Sequence, residues 1–272
     1  MDLTKYSHEK VSDHVIRVVD ALDVAAYLIV GEERAVLLDT CFGFGDVKAA
    51  VEAITPLPLT VVLTHGHCDH ICGVDCFDHA YMNLKDMPIF EEHRDVAFRR
   101  DSLVKIHGLE LDESEFRVIP DGILEDLPED TVMDLGGVTL KLLMAPGHSP
   151  GSLVALIEED RVLMIGDVCD DNVLLFDDHS SNVSGYMAAL QRIRDLDGLY
   201  DHVLGNHGAF VFKKEIIDNV LECCRKILAH EDEHILTNML GHTLYSACAV
   251  GDDMLRLDGK QGNVLYREDK AV

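Results

Sequence analysis

Between Thr64 and His70 the chain reads Thr64-His65-Gly66-His67-Cys68-Asp69-His70, three imidazoles and one carboxylate in the last six positions. Imidazole nitrogen and carboxylate oxygen are the donors that zinc, manganese and iron accept. In a loop, His65 and His67 can point one way while Asp69 and His70 point another, so one short segment could serve two ions. Two ions need more donors than four. The sequence offers three at later positions: His148 in Ala145-Pro146-Gly147-His148-Ser149-Pro150-Gly151, Asp167 in Ile165-Gly166-Asp167, and His207 in Gly205-Asn206-His207-Gly208. Each follows an apolar run and is bracketed by glycine or proline. Glycine lets the backbone turn tightly enough to bring a short ligand to a metal.

The elements that must position these residues follow from the apolar pattern. Leu59–Leu63 is a β-branched, buried strand, and the histidine-rich loop begins at its carboxyl end, where open α/β sheets place their sites. Further strands are expected at His14–Val19, Ala25–Val30, Ala35–Leu38, Val138–Met144, Leu153–Ile157, Val162–Ile165 and Val203-Leu204. Helices are expected at Phe44–Ile54, Phe90–Val104, Tyr186–Leu196 and Lys213–His230, and a hairpin over Leu255–Tyr266 turning at Gly259–Gly262. Residues 110–130 are acidic, with Pro120 and Pro128, and read as loop and short strand. Strands at both ends of the chain with helices between them suggest two sheets covered by helices.

This ordered set resembles the metallo-β-lactamase superfamily. The resemblance rests on Leu37-Leu38-Asp39-Thr40, the His-x-His-x-Asp-His core at 65–70, then His148, Asp167 and His207, over roughly residues 14–208. It implies a four-layer αββα sandwich, taken here as one domain over 1–272 with an insertion at about 81–130 and a C-terminal helix and hairpin at about 211–272. It implies two divalent metal ions, zinc first, with manganese or iron as alternatives. His65, His67 and His148 would hold one ion and Asp69, His70 and His207 the other, with Asp167 bridging and Asp39 orienting the histidine loop. Asp69 would also accept or relay a proton. The implied chemistry is hydrolysis by a metal-activated water, directed at a small ester, thioester or lactone. A one-iron persulfide dioxygenase and a small-molecule phosphodiesterase are the alternatives. Lactonase-like relatives often carry a tyrosine where this chain has Asp170, which counts against acyl-homoserine lactones. True β-lactamases generally lack the aspartate at the position of Asp167.

Composition narrows the partners. The 272 residues carry 23 Lys and Arg against 50 Asp and Glu, a formal charge of −27. Nucleic-acid binding depends on basic residues neutralising phosphates, so nucleic acid and anionic membrane surfaces are not expected as partners. A small-molecule substrate is. No apolar run reaches the ~18 residues of a membrane span, and the first residues lack the apolar core of a signal peptide. A cytoplasmic location and reduced cysteines follow as expectations. A homodimer through apolar residues of the tail hairpin is a further expectation. Cys68, Cys72 and Cys76 recur every four residues, a spacing that would align them on one helix face. Cys68 and Cys169 are read as small buried residues. His93, His107 and His179 are read first as ordinary histidines, with a lesser expectation that they border the site. Arg94, Arg99, Arg100 and Lys105 are read first as a solvated helix face, with contact to an anionic substrate as the lesser expectation.

Overall fold

A computed structural model describes residues 1–239 and 241–272. The chain divides into two compact units, Met1–Lys141 with Ile157–Asp160, and Leu142–Leu156 with Arg161–Val272.

The first unit is built on a seven-stranded sheet whose strands follow one another in chain order. β1 (Ser7–Lys10), β2 (Val15–Val19), β3 (Ala25–Val30) and β4 (Ala35–Leu38) form an antiparallel meander. After α1 (Val47–Glu52), β5 (Leu59–Val62) pairs parallel with β4, which requires a crossover rather than a hairpin. α2 (Cys68–Ile71) precedes β6 (Ala80–Met82), and α3 (Met87–His93) and α4 (Val96–His107) precede β7 (Leu124–Asp126); β6 and β7 continue the parallel pairing. β4 is buried at every position and β3 at all but its last, as expected for strands covered on both faces.

One helix expected over Phe90–Val104 is two. The break at Arg94-Asp95 is chemical: the Asp95 carboxylate accepts from Ala97 N at 2.9 Å and Phe98 N at 3.1 Å, so it caps a new helix and ends the old one. The three cysteines do not share a helix face. α2 stops at Ile71, because at Gly73 the chain passes so close to Thr40 that a Cβ would lie 2.3 Å from its carbonyl oxygen.

After β8 (Thr131–Asp134), β9 (Thr139–Met144) carries the chain into the second unit. There β10 (Leu153–Ile157) and β11 (Val162–Met164) follow, and β12 (Val173–Leu175) starts a smaller sheet. α5 (Val183–Arg194), β13 (His202–Leu204), β14 (Val211–Phe212), α6 (Ile216–Ala229), β15 (Ile235–Met239), β16 (His242–Ser246) and β17 (Val264–Tyr266) complete it. The main sheet runs β14-β13-β11-β10-β9, with β11 and β13 parallel. The smaller sheet runs β12-β17-β16-β15. Tyr186, Leu190 and Ile193 of α5 and Ile217, Val220, Leu221 and Cys224 of α6 share one apolar cluster with the sheet residues Leu156, Leu163 and Val203. The tail differs from expectation. Of Leu255–Tyr266 only β17 is strand, paired parallel with β12 and antiparallel with β16, and the hairpin lies earlier, between β15 and β16.

Candidate metal centre

The histidine-rich loop of the first unit leaves β5 and runs into α2, so its backbone is fixed at both ends. His65, His67 and His70 are all buried, a costly place for imidazoles without partners. Their partners begin with Asp39, fully buried at the end of β4 and held with a left-handed backbone, φ +66°. Such a backbone costs a non-glycine residue of order 1–3 kcal/mol and persists only where its surroundings impose it. Here the imposition is visible. Asp39 Oδ1 accepts from Thr64 N at 2.7 Å, and Oδ2 accepts from Thr64 Oγ1 at 2.8 Å and from His70 Nδ1 at 2.9 Å. Thr64 Oγ1, its proton given to Asp39, accepts from His65 Nδ1 at 3.1 Å.

These bonds decide tautomers. An imidazole that donates from Nδ1 carries its lone pair on Nε2. His65 and His70 therefore present Nε2, the usual arrangement for a metal-ligating histidine held by an outer carboxylate. His70 Nε2 lies 3.6 Å from Asp69 Oδ2. The rings pack closely: His65 against His70 at 4.2 Å and against the edge of His67 at 4.7 Å.

Two further residues hold this loop. Buried Asp86 accepts from Gly66 N at 2.9 Å. Gly66 itself has no room for a side chain, since a Cβ would meet Asp86 O and Phe90 N at 3.0 Å. His93, at the end of α3, accepts from Cys68 N at 3.2 Å and stacks on His67, ring centroids 4.8 Å apart and 18° from parallel. Asp86 carries no sequence signal, standing 20 residues from the glycine it serves. His93 supports His67 from behind. Of the basic stretch of this unit, Arg94 pairs with Glu91 and Asp121 and Arg100 with Glu113, Lys105 is exposed, and Arg99, buried rather than solvated, donates to Arg117 O at 2.6 Å.

In the second unit, His148, Asp167 and His207 also stand on loops at strand ends, after β9, β11 and β13. His148 donates from Nδ1 to Leu174 O at 3.1 Å and so likewise presents Nε2. That nitrogen lies 3.7 Å from Asp167 Oδ2, while His207 Nε2 lies 3.4 Å from Asp167 Oδ1. The two oxygens of one carboxylate thus face two different histidines. Tyr186 holds the two loops in place. Its ring occupies the space over Gly147, where a Cβ would lie 2.3 Å away, and its hydroxyl donates to Val168 O at 2.7 Å.

Asp170 stands where the resemblance called for a tyrosine. Burial, with the Asp167 charge adding to it, pushes its carboxyl up to about 7. Cys169 is fully buried and its thiol is pushed well up by that burial. His179 is on the loop before α5, where Asp177 accepts from Ser180 N and Oγ. Each of the seven residues singled out for metal binding is of a type and placement that could hold an ion. The donor set of four nitrogens and carboxylate oxygens in one unit and three in the other suits zinc, manganese or iron.

Residues 19–200 match the metallo-β-lactamase superfamily, and the chain belongs to it. Among curated relatives, a β-lactamase-like protein 2 homolog of Caenorhabditis elegans is 27% identical over 237 residues, 82% of this chain and 68% of that one. The acyl-coenzyme A thioesterase MBLAC2 of Gallus gallus is 27% identical over 250 residues, 79% of this chain and 87% of its own. Among solved structures, a metallo-β-lactamase from Pontibacter korlensis superposes with a TM-score of 0.59 at 16% identity, covering 81% of this chain and 99% of that one. The sec-alkylsulfatase Pisa1 from Pseudomonas sp. gives 0.63 at 15% identity, over 82% of this chain but 42% of the sulfatase. At these identities the structures show the fold, the α/β sandwich of metallo-β-lactamases. The relatives support a hydrolase in general terms. No helix among the described residues is long and apolar enough to cross a membrane.

Proposed function

We propose that the chain is a metal-dependent hydrolase of a small acyl thioester that binds a pair of divalent ions, most readily zinc. The observation that carries this reading is Asp167, whose two oxygens face His148 and His207 separately, so that one carboxylate lies beside a candidate ligand of each ion. His65, His67 and His148 would hold one ion, Asp69, His70 and His207 the other. Bound there, the ions would polarise a carbonyl and lower the pKa of water toward neutrality.

The chain's own groups do the rest. Asp39 and Thr64 keep the His65 and His70 protons on Nδ1 and the lone pairs on Nε2. Asp69, with a side chain 19% exposed, is the carboxylate open enough to take a proton from water and pass it to the departing sulfur. Thioesters come ahead of lactones for two reasons. A relative aligned over 79% of this chain and 87% of its own is named an acyl-coenzyme A thioesterase. Asp170 also replaces the tyrosine expected of lactonases. A chain of −27 charge repels a polyanionic carrier, so recognition should rest on the acyl group and the sulfur.

The test is metal content by element-resolved mass spectrometry on protein purified without chelator, followed by hydrolysis of acyl thioesters of N-acetylcysteamine, glutathione and coenzyme A. Two divalent ions per chain and thioester cleavage that chelator abolishes are expected. Full loading with no cleavage of any thioester overturns the reading, and one iron per chain with oxygen uptake on glutathione persulfide replaces it.

A further inference from the structure

The second unit contains a pair of sulfurs that metal hydrolysis does not use. Cys223 of α6 and Cys248, two residues beyond β16, lie with their Sγ atoms 3.6 Å apart in hydrogen-bond contact, both side chains buried. Arg256 reaches into the same place, donating from Nη1 toward Cys223 Sγ at 3.6 Å and to Gly262 O at 2.7 Å. Its Nε and Nη2 are held by Asp258. A guanidinium beside two sulfurs that share a hydrogen bond favours the loss of one proton from the pair. The shared hydrogen bond, helped by Arg256 and Lys226, draws one thiol of the pair down and holds the other up. Cys41 and Cys68, by contrast, are held well above the ordinary thiol range by burial.

The backbone around the pair is fixed. Cys248 N donates to Asn263 Oδ1 at 3.0 Å, and Cys248 O accepts from Ser246 Oγ at 2.6 Å. Asn263 is itself fully buried and bound to Ser246. On the other side, Gly262 lies against α6 so closely that a Cβ would meet Val220 and Ile216 at 2.7 and 2.9 Å. The sulfurs stand 3.6 Å apart, against the roughly 2.05 Å of a disulfide.

We propose that Cys223 and Cys248 form a peroxide-reactive dithiol, a modification site that closes to a disulfide. The thiolate of the pair attacks one oxygen of a hydroperoxide. An S–O bond forms, the O–O bond breaks, and the leaving hydroxide takes a proton to become water. The second sulfur then attacks the resulting sulfenic sulfur, the S–S bond forms, and the sulfenic oxygen leaves as a second water with the second thiol's proton. The sulfur pair is oxidised by two electrons and the peroxide reduced by two. A small hydroperoxide suits the burial of both sulfurs.

The whole chain, first reduced and freed of reductant, is treated with stoichiometric hydrogen peroxide. It is then unfolded, alkylated and examined by intact mass and peptide mapping. The expected result is the loss of two hydrogens per chain, a fall from eight to six titratable thiols, and a peptide linking Cys223 to Cys248. The link persists in Cys224→Ser, whose thiol adjoins the pair in sequence, and is absent from Cys223→Ser and Cys248→Ser. Added oxygen without loss of hydrogens in the parent protein overturns the proposal, as does a disulfide that survives in Cys248→Ser. The parent measurement needs no variant to fold, and it stands whether or not the chain hydrolyses thioesters.

Discussion

Replacing Asp39 by asparagine keeps the volume and one acceptor but reverses the other. In the native site Asp39 Oδ1 accepts from Thr64 N, and Oδ2 accepts from both Thr64 Oγ1 and His70 Nδ1. Asparagine keeps its oxygen on Thr64 N and places an NH2 where Oδ2 stood. Thr64 can turn its hydroxyl to accept, but it then no longer supplies an acceptor to His65 on the same terms. His70 has no such freedom. To avoid two donors face to face it must move its proton to Nε2, the atom needed for a metal. Loss of an orienting partner of this kind costs about 10–100-fold in metal affinity, or about 1.4–2.7 kcal/mol. Fold stability falls as well, because hydrogen bonds to a charged acceptor are worth about 1.5–3 kcal/mol each. Competition for zinc against a chromophoric chelator measures the first effect. Urea unfolding in excess chelator measures the second, and nitrogen-15 chemical shifts of the His70 ring report the tautomer. Unchanged zinc affinity with His70 still protonated on Nδ1 would refute the reasoning, because the acceptor at Oδ2 would then be shown not to set the tautomer.

Three other perturbations follow from the same geometry. Asp167→Ala or His67→Ala should abolish most hydrolysis and lower bound metal, read by turnover and metal content together; full activity in either variant would remove that residue from the site. Gly66→Ala should destabilise the protein by about 1–3 kcal/mol through overpacking against Asp86 and Phe90, measured as a lower urea midpoint in metal-free protein. Asp160, half-buried and bound to Ser12 and His14, has its carboxyl below the ordinary 3.8 because those hydrogen bonds outweigh the burial that would raise it. A depressed carboxylate contributes stability that is present above the unfolded value and lost as pH falls through the folded one. Asp160→Asn should therefore lower the urea midpoint at neutral pH and do so less in acid, once the native carboxylate has taken up its proton, and equal losses at both would exclude the charge as the cause.

The parts legible in the sequence share a physical feature: their information is local. The run Leu59–Leu63 reads as a strand because its centre, Thr60-Val61-Val62, is β-branched and its ends are apolar, and the His65–His70 segment reads as a set of donors because its members are adjacent. What was not legible lies at long range. Asp95 looked like one more polar residue of a helix until its carboxylate took two backbone N–H groups and split the helix. The spacing of Cys68, Cys72 and Cys76 implied a helix face, but the approach of Gly73 to Thr40 ends α2 first. β12 pairs with β17 across 91 residues, joined by Asn172 and Asn263, and no pattern within either segment announces the other.

The same division runs through the candidate site. The candidate ligands of the first unit fall within six residues, but the groups that hold them in place come from elsewhere: Asp39 from the end of β4, Asp86 from the turn before α3, His93 from its last turn. Only Asp39 had a motif to mark it. An orienting group needs one atom within hydrogen-bond distance of one other, and any strand end or helix terminus brought near by the sheet can supply it, so its place in the sequence is set by topology rather than by spacing. Because β4 and β5 run parallel and in register from Ala35 and Leu59, the residue just past β4 falls beside the first residues of the histidine loop. A carboxylate one residue earlier would sit on β4 with its side chain turned to the opposite face of the sheet, and His70 would lose the acceptor that keeps its proton on Nδ1.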